Sequence, residues 1–210
     1  MSRWISERIR DAYYREARRR GYRSRAVFKL MEMDEKFGIF REGQAVLDLG
    51  AAPGSWSQYA RERVGEGGLV VAVDRSRMEP IRGVVFLRID VFDDEVFDAV
   101  QGALGNRIGF DVVLSDMAPN VSGHPSLDHA RSLEILERVL QISERFLLPG
   151  GVMVCKVFQG DMLEDWRRRL RGSFRFVRLT KPAASPRSSS ELYFVAKGFK
   201  PSAFRRGPRV

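Results

Sequence analysis

The chain has 210 residues and a formal net charge of +9, with 44% hydrophobic residues, 30% charged residues, one cysteine and two histidines. That length and apolar content suit one folded domain with a sizeable core and exclude a largely disordered chain. The lone Cys155 cannot form an internal disulfide, and with two histidines it makes a poor zinc set, so no metal is expected.

Charge is concentrated at the ends. Residues 1–25 hold nine arginines against three acids, and residues 197–210 hold five basic residues and no acid, leaving a middle near −2. Basic ends on a near-neutral body fit a polyanionic partner whose phosphates meet the termini. Trp4, Tyr13, Tyr14 and Tyr22 interleave with the first arginines, where they could stack on bases. A solubilising surface, or codon usage rich in arginine, is the plainer alternative. The opening MSRWISERIRDAYYREARRR lacks the apolar stretch of a signal peptide, and no run approaches the roughly 20 apolar residues that span a bilayer. A cytoplasmic protein with no membrane partner is expected.

In chain order, residues 5–20 and 24–37 read as amphipathic helices, with Ser24 as an N-cap, giving a basic helical segment over about residues 1–40. From residue 44 the rhythm changes to short β-branched runs: QAVLDL, GLVVAVD, GVVFLRID, FDVVLSD and GVMVCKVF. Helices are predicted between them at 55–64, about 94–103 and 128–147, the last closed by LLPGG. A helix at 161–171 then precedes FRFVRL and ELYFVAKGF. Strands that alternate with helices, each nearly apolar throughout, predict an α/β fold with a mostly parallel sheet covered on both faces. One domain over residues 1–199 and a short basic tail, 200–210, follow from this pattern.

Five strands are predicted to finish on Asp48, Asp74, Asp90, Asp116 and Lys156. In an open α/β sheet the carboxyl ends of the strands face the ligand crevice, so these groups should line one edge. Each alone would pass as a cap or turn residue. The first strand ends in GAAPG, which lacks both the GK[ST] of a phosphate-binding loop and the full GxGxxG of a dinucleotide fold. Gly50 and Gly54 still permit a tight turn and close backbone approach. Asp74 is placed to accept from ribose hydroxyls, and Asp90 suits an adenine amino group. A modest anion cradle among several acids favours a ligand without phosphates and with a positive centre. S-adenosyl-L-methionine meets that description.

The segments YRSRAVFKL, VLDLGAAPGSWSQ, VLSDMAPN and VCKVFQG, in this order, resemble the FtsJ/RrmJ family of RNA ribose 2′-O-methyltransferases over about residues 10–199. Ser55 stands where most members carry glycine, which keeps a small residue at the helix start. The resemblance implies a Rossmann-like class I methyltransferase fold with seven strands, the last antiparallel. It further implies a Lys–Asp–Lys–Glu tetrad, which falls on Lys29, Asp116, Lys156 and Glu191. Its implied target is a uridine in large-subunit (23S) ribosomal RNA, at the loop that receives aminoacyl-tRNA. The candidate donor site comprises Asp48, Gly50, Gly54, Trp56, Asp74, Asp90 and Asp116.

Residue chemistry supports the tetrad. Only six lysines stand among thirty arginines, yet a lysine closes VMVCK. Arginine cannot release a proton near neutral pH, whereas a partly buried lysine beside another cation can, and Lys29 would supply that cation. Lys156 is therefore the expected general base. Plainer roles stay open: Glu191 as a loop cap, Lys29 as a solvated helix residue, Trp56 as core, Asp48 as a brace of the turn. Cys155 is expected to pack internally, and His124 and His129 to serve as loop and helix residues. Competing functions are a transfer-RNA anticodon-loop methyltransferase, a non-catalytic RNA-binding factor in ribosome assembly, and a nicotinamide-dependent oxidoreductase. A monomer is expected.

Overall fold

A computed structural model describes residues 12–186 and 188–201. The start of the first predicted helix, Trp4 and the arginines of the tail lie outside the described residues. Residues 12–19 are helical. They are followed by β1 (Ala45–Leu49), β2 (Leu69–Asp74), β3 (Val84–Arg88), β4 (Phe110–Ser115), β5 (Leu147–Phe158), β6 (Phe174–Thr180) and β7 (Glu191–Phe199). The intervening helices are α1 (Val27–Phe37), α2 (Ser55–Val64), α3 (Val96–Ala103), α4 (Pro125–Phe146) and α5 (Leu163–Ser173).

The strands form one seven-stranded sheet in the order β3-β2-β1-β4-β5-β7-β6. The first five run parallel, and β7 is antiparallel to both of its neighbours. This is the mostly parallel sheet with an antiparallel last strand that the sequence predicts. Side chains alternate between its faces with the period of two that a pleated strand imposes. Val46, Val70, Val112, Leu114, Val154 and Val195 pack with residues of α1 and α2. Leu47, Val71, Val113, Met153, Cys155 and Phe194 pack with residues of α3, α4 and α5. Both faces are therefore sealed, and each fully buried Val, Leu or Phe contributes about 1.5–3 kcal/mol of transfer free energy.

Chain order reverses at β1, whose neighbours are β2 on one side and β4 on the other. Such a switch point opens a crevice at the carboxyl ends of the strands. The predicted strand ends need adjustment there. Asp48 lies inside β1, Asp90 falls two residues beyond β3, and Lys156 is followed by two more residues of β5. Two other predictions are corrected. LLPGG does not close α4 as a cap; it opens β5, with Leu147 paired to Phe110 before a register shift. Ser24 is not the N-cap of α1, which begins after Ala26; its Oγ instead shares a 2.7 Å hydrogen bond with the Ser55 hydroxyl. No helix among the described residues is long and apolar enough to cross a membrane.

Candidate active site

At the end of β1 the chain turns through Gly50 and Gly54, which hold φ of +72° and +108°. An added Cβ at Gly50 would lie 2.0 Å from Met117 Cγ, and one at Gly54 would lie 2.8 Å from Met78 Sδ. Both positions thus require glycine for conformation and for close approach. The Ala52–Pro53 peptide bond is cis. Asp74 at the end of β2 steadies this loop, its Oδ2 accepting from the Ala52 amide at 2.9 Å and its Oδ1 from the Ser76 amide at 2.7 Å. Arg23 clamps the outer side, donating to the carbonyls of Pro53, Glu79 and Pro80 at 2.6–3.0 Å.

Beside the loop is a cavity of about 680 Å³, lined by Gly50, Asp74, Asp90, Asp116, Met117 and others. Asp90 accepts from the Phe92 amide at 3.0 Å and has Arg75 at 3.5 Å. Asp48 does not reach this cavity. It is 1% exposed and accepts from the Ser57 hydroxyl at 2.6 Å and from the Ser57 amide. Burial, reinforced by the nearby carboxylates of Asp116 and Asp74, raises its carboxyl to about 7 despite the Ser57 bonds. A chamber of about 50 Å³ separates Asp48 from Asp116 and Ser24, and Trp56 lines it. The Trp56 indole itself is buried, donates to the Ala26 carbonyl at 2.9 Å and lies 6.0 Å from the Tyr193 ring. Among the described residues, no group of three or more His, Cys, Asp or Glu side chains is arranged to hold a metal ion.

The four predicted polar residues come together beside that chamber, which Asp116 lines. Lys156 Nζ donates to the backbone carbonyl of Asp116, and stands 3.1 Å from Asp116 Oδ1 and 4.0 Å from Glu191 Oε1. Lys29 donates to Glu191 Oε2 at 2.9 Å. The fold explains the convergence. Residue Lys156 pairs in register with Tyr193, and α1 covers the same sheet face, which brings Lys29 over both strands. Burial opposes ionisation of Glu191, but the ammonium groups of Lys29 and Lys156 outweigh it and hold that carboxyl below the ordinary range. Lys29 and Lys156 are both buried. Two buried cations with two carboxylates leave no uncompensated charge, the condition under which buried ions persist.

Tyr193 joins this group although it does not stand out as polar within ELYFVAKGF. Its hydroxyl accepts from Lys29 at 3.2 Å and donates to Asp116 Oδ1 at 2.6 Å, closing a ring from Lys156 through Asp116, Tyr193, Lys29 and Glu191. Burial first, then the carboxylates of Asp116 and Glu191, pushes its phenol well above the usual range. A signal for it does exist in the sequence. Strand periodicity puts residue 193 on the same face as Glu191. Ser57 and Arg23 were likewise not singled out, because their partners lie 9 to 57 positions away.

Two of the aromatic residues expected to stack on bases serve the fold instead. Tyr22 is buried with its hydroxyl on Glu62, and Tyr13 packs on Phe28 at 5.3 Å between centroids. Tyr14 remains half exposed. Cys155 is buried, its thiol pushed by burial to about 12. His129 is buried in α4, with Nδ1 2.9 Å from the Phe158 carbonyl.

Comparison with known proteins gives the family. Residues 22–199 match the FtsJ-like methyltransferase family. A protein named ribosomal RNA large subunit methyltransferase E in Dechloromonas aromatica is 47% identical over 92% of this chain and 94% of its own. The protein of the same name in Methanothermobacter thermautotrophicus is 46% identical over 94% of each chain. A solved structure from Plasmodium falciparum, assigned as a ribosomal RNA methyltransferase, superposes with a TM-score of 0.78 at 30% identity, over 85% of this chain and 98% of that one. With the family matched over residues 22–199 and relatives 46% and 47% identical along nearly the whole chain, the chain belongs to the FtsJ-like methyltransferase family.

Proposed function

We propose that this protein transfers a methyl group from S-adenosyl-L-methionine to the ribose 2′-oxygen of a uridine in large-subunit ribosomal RNA. The observation that carries the reading is the Lys156 ammonium set between Asp116 and Glu191, with Lys29 beyond, at the carboxyl edge of the sheet. The relatives named for the large ribosomal subunit supply the substrate class. Basic residues at both ends favour a polyanion, and binding to RNA should weaken steeply between about 50 and 200 mM salt.

The cavity beside Gly50 fits the donor in its chemistry. Asp74, Asp90 and Asp116 give it acceptors and negative charge, and no glycine-rich anion loop with a following lysine is present. Asp74 would take the ribose hydroxyls, Asp90 the adenine amino group and Asp116 the positive end. Gly50 and Gly54 would let the backbone approach, with the Trp56 main chain beside them. Asp48 would act from below, holding the loop through Ser57. When bound, the donor supplies an electrophilic methyl group on a cationic sulfur.

The protein then has to align one oxygen with that carbon, a contribution of up to roughly 7–11 kcal/mol. Lys156 would first release its own proton to solvent and then, as the neutral amine, accept the hydroxyl proton as the oxygen–carbon bond forms, the carbon–sulfur bond breaks and S-adenosylhomocysteine leaves. Glu191 and Asp116 hold Lys156 in position, and Tyr193 ties Asp116 to Lys29. The test is substitution of Lys156. Lys156→Ala should abolish methyl transfer while S-adenosylhomocysteine still binds with near wild-type affinity by calorimetry. Full activity in Lys156→Arg would rule out proton removal by this residue.

A further inference from the structure

Against Pro53 of the GAAPG loop is a second basin of about 680 Å³, which shares no lining residue with the donor cavity. Tyr14, Arg18, Arg23, Pro53, Arg77 and Glu79 are among the residues that line it. We propose that this basin seats a nucleotide of the RNA strand next to the target ribose, with its base on Tyr14 and its phosphates on Arg18 and Arg77. The proposal rests on the reading of the chain as an RNA ribose methyltransferase and gives that reaction a second substrate contact.

Three observations place it. The first is charge. The donor cavity has Asp74, Asp90, Asp116 and Glu134 against Arg75 and Arg131, whereas the basin has three arginines against Glu79 alone. The cavity at Gly50 and Ala52 thus favours a cation, and the basin at Pro53 an anion. Pro53 also lines the small chamber that Asp116 borders, so the basin and that chamber share a residue beside the polar ring.

The second is availability. Arg23 is spent on the carbonyls of Pro53, Glu79 and Pro80 and shapes the floor. Arg18 bonds only weakly to the Tyr14 hydroxyl, at 3.5 Å, and among the described residues it forms no ion pair. Arg77 makes no hydrogen bond or ion pair to a described residue, although it lines the basin. Guanidiniums with no carboxylate partner among the described residues, set in a concave site, suit phosphate oxygens, which accept two parallel bonds.

The third is the aromatic face. Tyr14 is half exposed, and the Arg18 guanidinium lies 5.9 Å from its ring centroid, so a flat cation and a flat ring border the same space. Unstacked bases are held by such faces without regard to sequence. Tyr22 and Met78, both buried, line the basin as well.

The test uses the full chain and a fluorescently labelled single-stranded oligouridylate, titrated at several salt concentrations. Arg18→Gln with Arg77→Gln should flatten the plot of log affinity against log salt by about 1.4, the loss of two single-strand phosphate contacts. Tyr14→Ala should weaken binding by roughly 5- to 150-fold, and Tyr14→Phe should restore it. Affinity for S-adenosylhomocysteine should hold in all of them, since none lines the donor cavity. Wild-type affinity and salt slope in the arginine pair and in Tyr14→Ala would overturn the subsite while leaving the methyltransferase reading intact. If the wild-type chain moved no methyl group to ribosomal RNA, yet these variants lost the oligonucleotide, the methyltransferase reading would fail and the basin would stand only as an RNA-binding site.

Discussion

Replacing Asp48 by asparagine isolates a charge that the fold holds at a cost. The carboxyl is 1% exposed, and burial raises it from the ordinary value of 3.8 to about 7. An acid whose folded value exceeds its unfolded value keeps its proton longer in the native state. Stability therefore falls as pH rises between those values, by about 1.4 kcal/mol per unit for a single group, and levels off above the folded value. Asparagine has nearly the same shape and can still accept from the Ser57 hydroxyl, but it never ionises. Relative to wild type, Asp48→Asn should gain about 2–3 kcal/mol between about pH 5 and pH 8. Urea unfolding of both proteins at these two pH values measures the difference directly. A gap that stays constant with pH would refute the argument that Asp48 is desolvated in the native state.

Other perturbations separate the loop, the ring and the core. Gly50→Ala forces a Cβ to within 2.0 Å of Met117 Cγ at a φ of +72°. It should cost more than about 1 kcal/mol of stability and at least about tenfold in affinity for S-adenosylhomocysteine, read by calorimetry. Tyr193→Phe removes the hydroxyl shared by Lys29 and Asp116 but leaves the Lys29–Glu191 ion pair. It should lower stability by about 1–3 kcal/mol in thermal unfolding while turnover stays within about tenfold of wild type. Leu136→Ala, at a fully buried position of α4, should cost about 2–5 kcal/mol in the same measurement without altering donor affinity.

The strands were legible because a parallel sheet sealed on both faces demands apolar residues at nearly every position, as AVLDL and LVVAVD provide. Local signals were weaker where one residue type serves two ends. Proline and two glycines after Leu148 suggest a helix stop, but Leu147 finds a partner in Phe110 and the chain is already a strand. Helix α4 begins at Pro125, earlier than periodicity indicates, because proline at the first helical position needs no amide partner. The four residues of the tetrad are placed by resemblance, with chemistry that suits them; their contacts span up to 162 positions, which no local pattern encodes. Tyr193 escaped notice for the opposite reason. In an apolar strand it reads as packing, and only its register opposite Lys156 gives it a polar role. Aromatics in the N-terminal segment show the same ambiguity, since Tyr22 and Tyr14 look alike in sequence but one is buried and one is not.

The most direct test of the central reading is to find the atom that receives the methyl group. Large ribosomal subunits from cells lacking this gene product would be incubated with the purified protein and isotope-labelled S-adenosylmethionine, then digested to nucleosides and resolved by mass spectrometry. One labelled 2′-O-methyluridine per subunit is the expected result. Label on a base, or an unlabelled subunit when transfer RNA incubated in parallel takes up label, would contradict it.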